Sequence, residues 1–441
     1  MRHGLIGALP VVLLALAQAA RGQQAAAGDD FKPCSTNAVG QQYPQVNSAR
    51  QVRFRISAPN VTSIRVLGAN LTKGADGVFT GVTAPQDPGF HYYTLTVDGI
   101  NVADPNSETF YGTSKVVSGI EIPEAGVDFY DNKDVPHGDV RSRWYKGANG
   151  QNRQAWIYTP PDYDKDPAKK YPVLYLQHGM GEDRRAWSQQ GHANFILDNL
   201  IAARKAKPMI IVMEDGDITP GANGAGGGRG APGNGPARGP ASAPAGGAMG
   251  PKANDDTLRF VNAPGAPGGA PGGPGAAAGP RGGRGGMGGR GGGPNLNMPF
   301  VNQVITDVIP MVEANFRVLA DRDHRAMAGL SLGGTQTYQI TQANVDKFAF
   351  VGIFSAPFGF PGVETGYKGL LAKPEEFDKQ YKVFFISMGS KEGPGTGRQP
   401  AEAMKAAGIK HVVYYEAPGT AHEFQTWRKS LYQFAPLLFQ D

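Results

Sequence analysis

Alternating hydrophobic and polar residues define the first patterned part of the chain. The run VRFRI at 52–56 alternates residue by residue, and the same period of two returns at 93–97. Because successive side chains of a strand point to opposite faces, this pattern predicts short strands with one buried face. Asp98-Gly99 supplies the positive φ angles of a tight hairpin between two of them. We therefore predict a small all-β sandwich over residues 47–127, preceded by a linker at 23–46.

From about residue 140, continuous apolar runs replace this alternation. Runs such as VLYL, MIIVM and VFFIS are typical of strands that are buried on both faces of a sheet. Between them lie stretches with helical spacing, such as HANFILDNLIAA. Strands that alternate with helices predict an α/β fold with a doubly wound, mainly parallel sheet over residues 140–441.

A segment dominated by glycine, alanine and proline, residues 219–294, interrupts the α/β pattern. Such a composition buries too little apolar surface to offset its ordering entropy, so we predict that it is disordered. Residues 221–298 carry seven arginine or lysine residues and two aspartates, which accounts for the whole formal net charge of +5. Glycine–arginine tracts occur in RNA-binding proteins, but these tracts lack stacking aromatics. We therefore predict no nucleic-acid partner.

The first residues have the features of a secretory signal peptide. Met1-Arg2-His3 is followed by a short apolar run and then by small residues, which predicts a signal peptide over residues 1–22. No later segment approaches membrane-spanning length, so we expect a periplasmic or secreted protein without a membrane span after cleavage. Cys34 is the single cysteine, which excludes an intramolecular disulfide, and we predict a solvent-exposed linker thiol without a redox role.

One glycine-rich stretch lies between a predicted strand and a predicted helix. Gly329-Leu330-Ser331-Leu332-Gly333 fits G-x-S-x-G, the strained turn that exposes a nucleophilic serine. The glycines of the 219–294 insert have no such flanks and no central serine. Ser331 is therefore the candidate nucleophile.

A serine nucleophile needs a histidine base and a carboxylate that orients this histidine. His411 and His422 are the histidines that follow the serine, and we favour His422 because it lies on the loop after a predicted strand. Glu392 lies at the end of the preceding predicted strand and is the preferred acid. Glu364 and Glu376 are rival acids, but they lie between predicted strands.

The oxyanion of an acyl transfer needs backbone N–H donors that are already in place. The amide of Leu332, directly after the nucleophile, is one candidate, and the amide of Met180 after His178-Gly179 is the other. We expect His178 to brace this loop rather than to act as the base. No histidine, cysteine or carboxylate cluster has metal-ligand spacing, so we predict neither a metal nor another cofactor.

Five motifs follow one another along the chain: YPVLYLQHGMGEDRRAW, DVIPMVEANFRV, RAMAGLSLGGTQT, GSKEG and AHEFQTWRKSL. In this order they resemble carbohydrate esterase family 1, the esterase D-like branch of the α/β-hydrolases. The segments RFRISAPNVTSIRVLG and GFHYYTLTVDG are similar to the early-set immunoglobulin-like module that often precedes such esterases. The resemblance implies an exported serine esterase that cleaves feruloyl, or secondly acetyl, substituents of plant cell-wall polysaccharide such as xylan. In this family the acid is commonly aspartate, and Glu392 departs from that pattern.

Other functions remain open at this point. Enterochelin (siderophore) esterase-like hydrolases and acyltransferases share the fold, and a carbohydrate-binding protein without catalysis is the alternative from another class. For a polysaccharide or a small aryl ester as substrate, Trp187, Tyr338 and Phe424 are candidates for an aromatic-lined pocket, although each could equally belong to the core. The sequence makes no prediction of the oligomeric state.

Overall fold

The computed structural model describes residues 29–216, 299–357, 359–393 and 397–440. The predicted signal peptide and the predicted 219–294 insert lie outside the described residues. In the described part of the chain, no helix has the length and apolar character that a membrane crossing needs.

Residues 29–122, here called the β-region, form three antiparallel sheets. Their strand orders are β1-β2-β3-β7-β6, β10-β9-β4-β5 and β11-β12-β8. The strands are β1 Lys32–Pro33, β2 Gln45–Val46, β3 Val52–Ser57, β4 Ile64–Val66, β5 Ala69–Asn70, β6 Thr72–Lys73, β7 Val78–Val82, β8 Gly89–Tyr93, β9 Leu95–Val97, β10 Ile100–Val102, β11 Thr109–Gly112 and β12 Lys115–Ile122.

The period of two decides which side chains of the β-region are buried. In β3, Val52, Phe54 and Ile56 point into a core that the three sheets share, whereas Arg55 is exposed. Ile120 and Ile122 of β12 belong to the same core. The alternation in the sequence therefore predicted the buried face correctly.

The expected linker before the β-region and the exposed state of its cysteine are corrected by the structure. Lys32–Pro33 and Gln45–Val46 pair with each other, and the second of them continues onto β3. Cys34 follows directly and is only 7% exposed. Its thiol donates to the Glu121 carbonyl at 3.3 Å, and burial raises the pKa of the thiol. Strands of two residues are too short to show a period, which is why the sequence pattern did not indicate them.

Residues 139–440, here called the α/β-region, contain one sheet of eight strands in the order β13-β14-β16-β15-β17-β18-β19-β20. The strands are β13 Asp139–Lys146, β14 Asn152–Thr159, β15 Val173–Gln177, β16 Ile210–Glu214, β17 Arg325–Leu330, β18 Phe350–Phe354, β19 Val383–Gly389 and β20 Val412–Ala417. The described helices are α1 Ala186–Gln189, α2 Ala193–Ala202, α3 Pro299–Gln303, α4 Ile309–Asn315, α5 Leu332–Ala343, α6 Pro374–Gln380, α7 Arg398–Ala406 and α8 Phe424–Phe434. A π-helical turn, Val304–Val308, joins α3 to α4, and 3-10 turns cover Arg322–His324, Gly366–Ala372 and Ala435–Leu437.

The predicted α/β class and mainly parallel sheet are confirmed. Strands β15 to β20 are mutually parallel, and β15, β16 and β17 are buried along their whole length, as their continuous apolar runs predicted. β13 and β14 add an antiparallel edge. The sequence pattern did not indicate β13, because this edge strand is mostly exposed and has no continuous apolar face.

The strand order changes direction at β15, which lies between β16 on one side and β17 on the other. In an open α/β sheet the loops at such a switch point diverge, and the crevice at the carboxyl ends of the strands is where ligands bind. The loop after β15 and the turn after β17 both leave the sheet at this point.

The β-region and the α/β-region share a buried contact along α8. Phe90 of β8 packs edge-to-face on Phe424, with ring centroids 5.9 Å apart. Arg428 is fully buried and donates two hydrogen bonds, of 2.7 and 2.9 Å, to the Glu121 carboxylate of β12. The pair is almost wholly buried, so removal of either partner would leave the other charge buried alone at a large cost in stability.

Candidate active site

Ser331 occupies a strained turn between β17 and α5. Its φ of 50° and ψ of −116° are unfavourable for a residue with a side chain. The turn is possible only with glycine on both sides. A Cβ on Gly333 would lie 2.4 Å from the His178 carbonyl oxygen, and one on Gly329 would lie 2.4 Å from the Gly333 backbone. This geometry exposes the serine hydroxyl above the sheet, as the G-x-S-x-G pattern predicted.

Three side chains form a continuous hydrogen-bonded chain at the carboxyl ends of the strands. His422 Nε2 lies 2.9 Å from Ser331 Oγ, and His422 Nδ1 lies 2.8 Å from Glu392 Oε2. An ionised carboxylate only accepts hydrogen bonds, so the Nδ1 atom of His422 carries the proton and Nε2 is left to accept from the serine hydroxyl. The structure thus brings together the three residues that the sequence pattern selected, in the relative positions of a nucleophile, a base and an acid.

Glu392 is held as a carboxylate by three donors. Besides His422, the Ser355 hydroxyl and the Gly389 N–H each donate to Oε1 at 2.7 Å. Partial burial alone would raise the pKa of Glu392, but the hydrogen bonds from His422, Ser355 and Gly389 outweigh burial and lower it. Ser355 follows β18 and was not among the residues that the sequence indicated.

The loop after β15, residues 178–182, carries the Met180 amide, and the structure shows what directs this amide. The His178 Nδ1–H donates to the Gly179 carbonyl at 2.8 Å, while the Gly216 N–H donates to His178 Nε2 at 3.2 Å. The peptide between Gly179 and Met180 is trans, so its N–H points away from its carbonyl. By holding the carbonyl, His178 sets the direction of the Met180 N–H. This contact is the bracing role that the sequence predicted for His178.

The other predicted amide donor, that of Leu332, begins α5. The first N–H groups of a helix have no carbonyl acceptor within the helix, so this donor is free of intrahelical bonding. It directly follows Ser331 in the chain. The Met180 amide on the 178–182 loop and the Leu332 amide at the start of α5 thus stay the predicted oxyanion donors.

Glu182 is a buried carboxyl group in the same loop that sequence reasoning missed. Its Oε2 accepts the Gly179 N–H at 3.0 Å, and its Oε1 lies 3.5 Å from the Tyr92 hydroxyl of β8. Burial raises the pKa of Glu182 to about 7, against the lowering effect of the Gly179 N–H. One signal could have indicated it: Glu182 lies in the glycine-containing segment that follows a buried strand.

The three aromatic residues that were candidates for a pocket or for the core belong to the hydrophobic core. Trp187 is 1% exposed and its indole N–H donates to the Gln177 carbonyl at 2.8 Å. Tyr338 packs against Tyr367 on the inner side of α5, and Phe424 is buried against β8. The three residues lie on three different helices, and each contributes its ring to a buried hydrophobic cluster.

The rival residues lie apart from the serine. His411 precedes β20 at the opposite end of the strand from His422, and its Nδ1 lies 2.7 Å from the Tyr381 carbonyl. Glu376 lies on α6 and pairs with Lys373 at the surface, and Glu364 is exposed. In the described ranges no group of three or more potential ligands is arranged for a metal ion. The absence of a metal and of a cofactor stays a prediction.

The chain is similar to known proteins both in sequence and in fold. The model of the family described as "Putative esterase" matches residues 147–237 and 286–441, more than half of the chain. An endo-1,4-beta-xylanase/feruloyl esterase of Xylanibacter ruminicola is 34% identical over 93% of this chain and 48% of its own length. Endo-1,4-beta-xylanase Y of Acetivibrio thermocellus is 33% identical over 29% of this chain and 11% of its own.

Among solved structures, the enterochelin esterase of Shigella flexneri superposes with a TM-score of 0.54 at 15% identity, over 88% of this chain and 92% of that one. At this identity the superposition shows a shared fold. The chain spans about half the length of the first curated relative and about a tenth of the second.

Proposed function

The chain belongs to the esterase family whose model it matches, and from this premise we propose that it is a serine carboxylic-ester hydrolase acting on plant cell-wall polysaccharide. The substrates we propose are feruloyl esters first and acetyl esters second, on a polymer such as xylan. The observation that carries the proposal is the hydrogen-bonded chain from Ser331 through His422 to Glu392, with distances of 2.9 and 2.8 Å. The name of the Xylanibacter relative, a xylanase/feruloyl esterase, supports the choice of ester.

In the proposed acylation step, Ser331 Oγ attacks the ester carbonyl carbon while His422 Nε2 takes the hydroxyl proton. The tetrahedral intermediate carries its negative charge on the former carbonyl oxygen. His422 then gives the proton to the leaving sugar oxygen as the bond between the acyl carbon and this oxygen breaks. The acyl group remains on Ser331, and the polysaccharide is released with a free hydroxyl.

Deacylation repeats these steps with water. His422 takes a proton from the water that attacks the acyl carbon, and returns it to Ser331 Oγ as the acyl–serine bond breaks. Glu392 stays ionised throughout and stabilises the imidazolium that forms twice in the cycle. The N–H groups of Met180 and Leu332 are proposed to donate to the oxyanion in both intermediates.

The main test is hydrolysis of methyl ferulate, aryl acetates, feruloylated arabinoxylan and a ferric catecholate siderophore by wild type and by Ser331→Ala. We expect wild type to release ferulate and Ser331→Ala to release none, with unchanged thermal unfolding. Ser188→Ala is a matched control at a serine on α1 whose hydroxyl donates to the Arg185 carbonyl. Turnover retained by pure Ser331→Ala would contradict the mechanism. Hydrolysis of the siderophore alone would show that the substrate is of the enterochelin type and not a polysaccharide ester.

A polysaccharide-binding role without catalysis has less support. In the described part of the β-region, the large hydrophobic side chains that are exposed are Val39, Val82, Ile100, Val102 and Val116. Sugar rings stack on aromatic faces, and none of these residues is aromatic. We expect weak or no retention of Ser331→Ala on insoluble xylan. Tight retention would favour the binding function.

Export is proposed from the basic and apolar start of the sequence. We expect the protein expressed from its full gene to appear in the periplasm or medium, with its first 22 residues or so removed. Mass spectrometry of the mature amino terminus tests this expectation. An unprocessed terminus in the cytoplasm would contradict it.

A further inference from the structure

The hairpin turn between β11 and β12 contacts the 178–182 loop directly. The Ser114 N–H donates to the Gly181 carbonyl at 2.8 Å. Gly181 has a φ of +77°, and a Cβ built on it would lie 3.0 Å from Ser114 N and 3.1 Å from Ser114 Oγ. The backbone of the β-region thus lies against the residue that follows Met180.

This turn has an unfavourable backbone conformation. Thr113 and Ser114 have φ angles of 53° and 63°, although both carry side chains and threonine is β-branched. Asparagine and glycine are the residues that usually occupy a two-residue turn of this kind. Strain of this type is maintained by the surrounding contacts and is often found at functional sites. Here the strained turn is the one that meets the 178–182 loop.

Tyr92 of β8 makes the second contact between the β-region and this loop. Its ring covers Gly112 so closely that a Cβ there would lie 2.2 Å from the ring, and its hydroxyl accepts from Gln190 Nε2 at 2.7 Å. The hydroxyl hydrogen is directed to Glu182 Oε1, 3.5 Å away. Glu182 in turn holds the Gly179 N–H. The tyrosine is therefore linked through one carboxyl group to the peptide unit next to the Met180 amide.

We propose that the β-region positions the 178–182 loop for catalysis, with Tyr92 and the Thr113–Ser114 turn as positioning elements. This inference rests on the proposed esterase function, since the Met180 amide matters only if an oxyanion forms. On the α/β side, His178 holds the Gly179 carbonyl, and on the β side Ser114 holds the Gly181 carbonyl. The Met180 N–H belongs to the peptide unit whose carbonyl His178 holds, and the Ser114 contact holds the chain on the other side of Met180. Losing the Ser114 contact leaves the 178–182 loop held on the α/β side alone, which allows Met180 more movement.

The first test compares Tyr92→Phe with Tyr93→Phe in the full-length protein. Both remove one hydroxyl from the same strand, but the Tyr93 hydroxyl donates to Asp104 at 2.9 Å inside the β-region. With an aryl acetate as substrate, we expect kcat of Tyr92→Phe to fall about 10-fold with KM changed less than about 2-fold, because one oxyanion donor contributes about 100- to 1000-fold. Tyr93→Phe should keep its kcat within about 2-fold.

The second test compares Gly181→Ala with Gly150→Ala. Both glycines have positive φ, +77° and +79°, so alanine strains both backbones alike. A Cβ on Gly150, in the turn between β13 and β14, meets nothing within 4 Å, whereas one on Gly181 meets Ser114. We expect kcat of Gly181→Ala to fall about 10-fold, because the Cβ at 3.0 Å from Ser114 N must displace the loop slightly. Gly150→Ala should retain the wild-type value.

Hydrogen exchange of the peptide spanning 178–184 provides a readout that needs no turnover. Exchange should be faster in Tyr92→Phe and Gly181→Ala than in wild type, and unchanged in Tyr93→Phe and Gly150→Ala. Equal exchange and equal kcat in all folded variants would overturn the inference. If wild type cleaved aryl acetates but no feruloyl ester, feruloyl esters would be excluded as the substrate. This inference would then still stand. A wild type without turnover on any ester would contradict the proposed function, and the exchange comparison would still decide whether the β-region holds the loop.

Discussion

Glu392→Gln is the substitution for which the structure makes the sharpest prediction. It keeps the shape of the side chain and replaces one oxygen by an NH₂ group. Two donors, the Ser355 hydroxyl and the Gly389 N–H, point at Oε1, so the amide oxygen must take this position. The NH₂ group is then left to face His422 Nδ1. Because it donates, it forces the imidazole into the tautomer with the proton on Nε2.

That tautomer has no lone pair available for the Ser331 proton. Loss of the correct tautomer in a serine hydrolase triad lowers kcat by about 10⁴-fold, which corresponds to about 5 kcal/mol of transition-state stabilisation. KM should change little, since Glu392 is not proposed to touch the substrate. Glu392→Asp keeps the charge but shortens the side chain by one methylene, so we expect a smaller loss of about 10- to 100-fold.

The assay is steady-state hydrolysis of methyl ferulate at pH 7 by purified variants with matched melting curves. Glu364→Gln and Glu376→Gln are the controls, because both carboxylates lie away from the serine, and we expect their kcat to stay within about 2-fold of wild type. If Glu392→Gln kept more than about a tenth of the wild-type kcat, the reasoning on the tautomer would be refuted. A large loss in either control variant would point to a different acid.

Three further predictions concern the same framework. Ser355→Ala removes one donor from the Glu392 carboxylate and should raise the pKa of Glu392. The loss of kcat/KM that protonation of Glu392 causes on acidification should then begin at a higher pH than in wild type, and an unchanged profile would show that the Ser355 hydroxyl does not help to keep Glu392 ionised. Arg428→Met leaves the Glu121 carboxylate buried without its partner and should lower the free energy of unfolding by about 3–5 kcal/mol in urea titrations. Arg428→Met combined with Glu121→Leu should restore most of the lost free energy of unfolding. Gly333→Ala places a Cβ 2.4 Å from a backbone oxygen and should abolish soluble expression or turnover; a stable, active variant would show that the turn relaxes.

The fold and the three central residues of the site could be predicted from local patterns. Buried parallel strands have continuous apolar runs, and each strand end is visible where such a run meets glycine or polar residues. Ser331, Glu392 and His422 each follow a predicted strand, and in a parallel sheet those ends meet at one edge. The sheet topology alone therefore predicts that these three residues lie close together.

The supporting residues could not be predicted in this way. Ser355 and Glu182 are ordinary polar residues whose roles depend on which side chain lies opposite, and Tyr92 meets the loop from ninety positions away in the chain. The sequence left Trp187 open as a pocket or a core residue, and the structure shows that its side chain lies in the core, because a local pattern does not show which side chains lie opposite.

The sequence by itself determined the α/β class, the strained serine turn and the order of nucleophile, acid and base, since each is set by residues adjacent along the chain. Only the tertiary structure decided that Cys34 is buried, that the expected linker contributes strands, and that the β-region lies against the 178–182 loop. These features depend on packing between distant segments. Such packing is selected by the whole fold, because each contact is stable only when all the surrounding elements are already in place.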